Sequence, residues 1–223
     1  MKKLKAFLPP VQTWLPLILC LLFNLLAFYG GRLITTHRVH HDFSTLLDAA
    51  IPLWPPAVII YVLAFVFWVL GYIIIAKGRQ DICFEVLAGE HIAKLISFAI
   101  FIIIPTGTVR PDSEVAGPCT WLLSIIYRLD KPDMLFPSIH CLDSWIVFRG
   151  SVRCKSLSRG YRIFCCVFAL MVFVSTLLTK QHVILDVFGG VIVAELGLLI
   201  SHLFRCGRLY SRLAQRLFPS GNA

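Results

Sequence analysis

The chain has 223 residues, of which 58% are hydrophobic and only 15% charged. That balance lies well outside the soluble norm and points to one domain of several membrane spans. The formal net charge of +9 is explained by membrane topology, which excludes a nucleic-acid surface as its reason.

Apolar runs occupy 14–29, 57–76, 95–104, 139–148, 163–178 and 183–204. A span needs about 20 apolar residues; the second and sixth runs meet this, the first and fifth suffice, and the third and fourth are short. The first run follows Met1, Lys2 and Lys3 but has no small-x-small cleavage site, so it is expected to stay as a span. Residues 31–54 form an outside connection whose His37, His40 and His41 are too loosely spaced for a metal site and read as a solvated loop. Pro52, Pro55 and Pro56 open the second span. Residues 81–94, with Glu85, Glu90, His91 and Lys94, read as an amphipathic helix at the inner interface. The third span is expected from near Ala88, with Lys94 snorkelling outward. Residues 105–137 are the long outer connection, with a short helix over 120–129, and the fourth span begins at Pro137.

Six spans put both termini on one side. With a cytoplasmic start, fifteen of the 21 basic residues fall inside, as the positive-inside rule expects. The six outside are Arg32, Arg38, Arg110, Arg128, Lys131 and Lys180. The last four of these lie in loops that carry histidine motifs, where an anionic ligand would need them. The eight cysteines show no Cys-x-x-Cys pair and no metal spacing, and they read as small hydrophobes.

His182 and Asp186 head the sixth span four residues apart, on one helical face and about 6 Å apart along the axis. An aspartate there can fix the imidazole tautomer and leave the other nitrogen as a nucleophile. His140 lies on the first turn of the fourth span beside Ser138 and free helix amides. Opposite His182, it can protonate a departing oxygen. Arg110 and Lys180 are candidates to hold phosphate oxygens. Asp143 shares the face of His140 and either orients it or bonds elsewhere. Asp130 is placed to brace Arg128. Glu195 is expected to pair with a neighbouring helix or stay protonated. Gly189 and Gly190 read as positions of close helix packing. His202 reads as an inner-interface residue.

These residues resemble the type 2 phosphatidic acid phosphatase family, which shares its core with vanadium haloperoxidases. Its pattern is Lys-x6-Arg-Pro, Pro-Ser-x-His and Ser-Arg-x5-His-x3-Asp. Arg110-Pro111 match the end of the first part. Pro137-Ser138-Ile139-His140 match the second, and Ser175, His182 and Asp186 match the third. The likeness covers about 55–205. The family lysine falls at Ile103 and its second arginine at Thr176, so Lys180, Arg128 or Lys131 would have to substitute, Lys180 first. Ile139 stands where lipid phosphatases usually have glycine, a feature closer to the inositol-phosphotransferase branch.

The resemblance implies an all-α, six-transmembrane-helix bundle formed by one integral membrane domain over 1–223. It implies a lipid-phosphate phosphatase working through a phosphohistidine at the extracytoplasmic face. His182, Asp186 and His140 would be catalytic; Arg110, Ser138, Lys180, Ser175 and Arg128 would bind phosphate. No metal or cofactor is required. The partners are the bilayer and a lipid phosphate. Two alternatives remain open: a phosphotransferase moving a phosphoryl headgroup, such as inositol phosphate, onto a lipid alcohol, and a non-catalytic lipid binder or transporter.

Overall fold

The computed structural model describes residues 8–111 and 116–218. The described chain is helical throughout, with two isolated bridges and no strand. We number the helices in chain order. α1 spans Val11–Thr35 through a π-turn at Leu26–Gly30, and α2 is the short Leu46–Ala50. α3 is Val58–Ala76, α4 is Gln80–Ile103 and α5 is Pro118–Leu129. α6 is Ile139–Arg153, α7 is Arg159–Leu178, α8 is Ile184–Leu203 and α9 is Gly207–Leu217.

Five of these, α1, α3, α4, α7 and α8, are long and apolar enough to cross a membrane. Many of their large apolar side chains face outward, among them Val69, Phe188 and Ile192. An outward apolar surface suits lipid rather than water. The expected fourth span is a helix, but α6 has only 15 residues, or roughly 22 Å at 1.5 Å per residue, and it does not belong to that set of five. Its interior place explains its composition. α3, α4, α7 and α8 all pack against it, so His140, Asp143, Ser144 and Ser151 face protein rather than lipid.

The interfacial helix expected over 81–94 does not form separately. Those residues are the first half of the continuous helix α4, whose Glu90, His91 and Lys94 are buried. Lys94 does not snorkel. It is 1% exposed and donates to Asp143 Oδ2 at 2.6 Å and Asn24 Oδ1 at 2.7 Å. An inward ammonium is stable there because α1 and α6 supply its acceptors. Asp143 also accepts from the Tyr72 hydroxyl at 3.1 Å, so it ties helices together and does not orient His140. Glu195 pairs across helices, accepting from Arg149 Nη2 at 3.2 Å and from Trp145 Nε1 at 2.6 Å. His202 is exposed, with Nδ1 3.0 Å from Glu85.

Candidate active site

The head of α8 and the start of α6 form the centre of the site. The Ser138 amide donates to the Asp186 carbonyl oxygen at 3.0 Å, joining the two motifs through backbone. A Cβ on Gly190 would lie 2.5 Å from the Ser138 carbonyl oxygen, and one on Gly189 would lie 2.4 Å from the Phe136 ring. Only glycine permits this approach.

His182 Nδ1 lies 3.2 Å from Asp186 Oδ2, and the same oxygen accepts from the Val183 amide at 3.0 Å. With Nδ1–H donated to this carboxylate, the lone pair sits on Nε2. The His140 ring is a neighbour of His182, with centroids 6.3 Å apart and planes inclined at 54°. His140 is held in an aromatic box. Tyr61 stacks on it at 4.0 Å, while Trp68 and Phe65 meet it edge-on at 4.9 Å and 5.2 Å.

Arg110 closes the arrangement. Its guanidinium donates to the Asp130 carbonyl oxygen and to Gln181 Oε1, and lies 4.8 Å over the Tyr127 ring. Asp130 in turn accepts from the Tyr61 hydroxyl at 2.8 Å. A ring of contacts therefore runs from His140 through Tyr61, Asp130, Arg110 and Gln181 to His182. Burial lowers the proton affinity of Arg110, and the nearby Asp130 carboxylate partly restores it. Burial raises the Tyr127 hydroxyl to about 12, against the opposing pull of Arg110.

Four buried polar atoms in or beside this ring have no hydrogen-bond partner among the described residues: His140 Nε2, Arg110 Nε, Gln181 Nε2 and Asp186 Oδ1. Two are N–H donors outright, and the His140 nitrogen is a third when protonated. Buried donors without acceptors are costly, and an oxygen-rich anion would satisfy them.

The other expected phosphate ligands are placed differently. Lys180 adopts a left-handed backbone with φ of 52°. It donates to the Asp48 carbonyl oxygen at 2.7 Å. It lines, with His182, Asp48, Thr45, Ser44 and Thr108, a cavity of about 500 Å³. Ser138 is buried and caps α6, accepting from the Cys141 amide at 3.4 Å; Pro137 precedes that cap instead of occupying the first turn. The Ser175 hydroxyl bonds back to the Val172 carbonyl oxygen at 2.8 Å within α7. Arg128 is exposed on the last turn of α5, and Asp130 braces Arg110 rather than Arg128. Thr176, at the position of the family arginine, donates to the Phe173 carbonyl oxygen at 2.8 Å.

Sequence reasoning missed three residues. Gln181 is buried beside His182, and its only sequence signal is adjacency to the motif. Tyr61 stacks on His140 from α3, a contact no spacing reveals. Asp48 lies on α2, where its Oδ1 accepts from the Ile184 amide at 2.7 Å and its carbonyl holds Lys180. Burial opposes the Asp48 carboxylate, but hydrogen bonds from the Thr45 hydroxyl and the Ile184 and Thr45 amides outweigh it, holding Asp48 below its ordinary value.

Comparison with protein-family models, with curated proteins and with solved structures finds no match for this chain.

Proposed function

We propose that the chain is a membrane lipid-phosphate phosphatase that transfers a phosphoryl group through His182. The observation that carries this reading is the Asp186-oriented His182 beside His140, in a ring where three buried nitrogens have no hydrogen-bond partner among the described residues. A lipid phosphomonoester or diphosphate would place its phosphoryl oxygens toward Arg110 and Gln181. His182 Nε2 attacks phosphorus, the bond to the leaving oxygen breaks, and His140 gives that oxygen its proton. A water then attacks the phosphohistidine, His140 takes the proton back, and phosphate leaves with His182 regenerated. Arg110 offsets the charge that develops on the oxygens. Six crossings, both termini cytoplasmic and a site on the extracytoplasmic side belong to the same proposal; the distribution of basic residues supports them.

The cavity beside His182 favours a second reading. Its lining of Asp42, Ser44, Thr45 and Thr108 suits a hydroxylated acceptor in place of water. In that transferase the same phosphohistidine would pass its group to an alcohol. Incubation with a labelled lipid phosphate, followed by an alkaline quench, tests the shared step. The proposal expects an alkali-stable, acid-labile label on the chain that His182→Ala abolishes. A label that persists in His182→Ala would overturn it, and an added lipid alcohol that takes up the labelled group as a new phospholipid would select the transferase.

A further inference from the structure

Beside the Lys94–Asp143 pair, α1 and α4 bring together Cys20, Glu90 and His91. The proposed phosphoryl chemistry uses none of them. Their ligand atoms all lie within 4.8 Å of one another. Cys20 Sγ is 3.4 Å from His91 Nε2, and Glu90 Oε2 is 3.4 Å from the same nitrogen. A zinc ion bound tetrahedrally by sulfur, nitrogen and oxygen separates its ligand atoms by about 3.3–3.6 Å. Both distances to the imidazole nitrogen fall in that range before any ion is added.

A further observation points to a ligand: Glu90 Oε2 has no hydrogen-bond partner among the described residues, although its side chain is 1% exposed. On the other edge of the His91 ring, Nδ1 is hydrogen-bonded to the Tyr210 hydroxyl of α9. The Pro16 carbonyl oxygen, which can only accept, lies 3.1 Å from Nε2, so without an ion Nε2 carries the ring proton and Nδ1 accepts from Tyr210. An ion on Nε2 would move that proton to Nδ1, which would then donate to Tyr210, the arrangement that orients metal-bound histidines. Cys20 and Glu90 also line an apolar cavity of about 440 Å³ between α1 and α3.

We propose that Cys20, Glu90 and His91 bind one divalent transition-metal ion, zinc by ligand preference, with a fourth position open to this cavity or to the Pro16 carbonyl. Thiolate, imidazole and carboxylate together suit zinc and do not suit magnesium or calcium. Binding releases the Cys20 thiol proton to buffer, leaving one thiolate and one carboxylate to balance the ion's two positive charges. The Lys94 ammonium, 3.8 Å from Glu90 Oε1, is itself balanced by Asp143 at 2.6 Å. The ion would clamp α1 to α4, and Tyr210 would extend the clamp to α9.

The full chain, purified in detergent, stripped with chelator and dialysed against buffered zinc, is assayed for metal content. Cobalt alone then serves as a spectroscopic probe. The expected result is one zinc per chain and a cobalt spectrum with thiolate charge-transfer and tetrahedral ligand-field bands. Cys20→Ser should lose the charge-transfer band, and Cys83→Ser should keep it. Tyr210→Phe touches no ligand atom and should weaken zinc binding by about 10–100-fold, which guards against a Cys20 variant that fails to fold. Zinc absent from the intact protein, or retained unchanged by both Cys20→Ser and Tyr210→Phe, would overturn the proposal. The readout is metal content, not turnover, so either result leaves the His182 chemistry to its own test.

Discussion

Replacing Lys94 by methionine removes one charge from a buried network and leaves its partners in place. Lys94 is 1% exposed and contacts Asp143 at 2.6 Å, Asn24 at 2.7 Å and Glu90 at 3.8 Å. Without the ammonium, two carboxylates face each other inside the bundle. Breaking a buried ion pair from one side costs about 3–5 kcal/mol, so Lys94→Met should destabilise by that amount. Asp143→Asn should cost less, because the amide can still accept from Tyr72. The double variant should fall short of the summed single effects by about 0.5–3 kcal/mol, the coupling typical of residues in one network. Reversible unfolding in mixed detergent micelles, followed by tryptophan fluorescence, measures all three. A Lys94→Met variant within about 0.5 kcal/mol of the intact protein, the range of an ordinary surface substitution, would refute this reasoning. It would mean that the side chain reaches water or headgroups, as a snorkelling lysine does.

Three further outcomes follow from the site. Gln181→Ala releases one arm of Arg110 without touching His182, so KM for a lipid phosphate should rise more than kcat falls in steady-state assays. Gly190→Ala drives a methyl against the Ser138 carbonyl, 2.5 Å away; because that atom is backbone, a loss of about 1–3 kcal/mol is expected in the same unfolding assay. Asp48 is held below its ordinary value in the folded chain. Its contribution is therefore fully present above the ordinary carboxylate range and is lost as pH falls through the depressed value. Asp48→Asn should flatten the acid limb of the unfolding profile.

The site is legible in the sequence where its residues are neighbours in the chain. The four-residue spacing of His182 and Asp186 is readable, but the reason differs from the helical turn expected. His182 precedes α8, and Asp186, in the first turn, reaches back to the Val183 amide and the His182 ring. Gly189 and Gly190 are readable as small residues on the face that meets α6. Legibility fails where the chemistry is shared between distant segments. Lys94 looks like a snorkelling cation because its acceptors, Asn24 and Asp143, lie 70 and 49 residues away. Cys20 and His91 are 71 residues apart, so no spacing rule joins them. Tyr61 is one aromatic among many in an apolar run. Ser175 and Ser138 each sit at their motif position, and what the sequence does not show is that each hydroxyl bonds within its own helix. The fourth expected span is a helix, but its polar residues are tolerated because other helices surround it, and hydropathy alone cannot report that environment.

The most direct test measures phosphate release by the purified chain from a panel of lipid phosphomonoesters and diphosphates, with His182→Ala alongside and no divalent cation added. The account predicts release from at least one lipid, falling to the level of buffer alone in His182→Ala. Release that continues undiminished in His182→Ala would contradict it, as would an intact protein that releases no phosphate and passes none to an added alcohol.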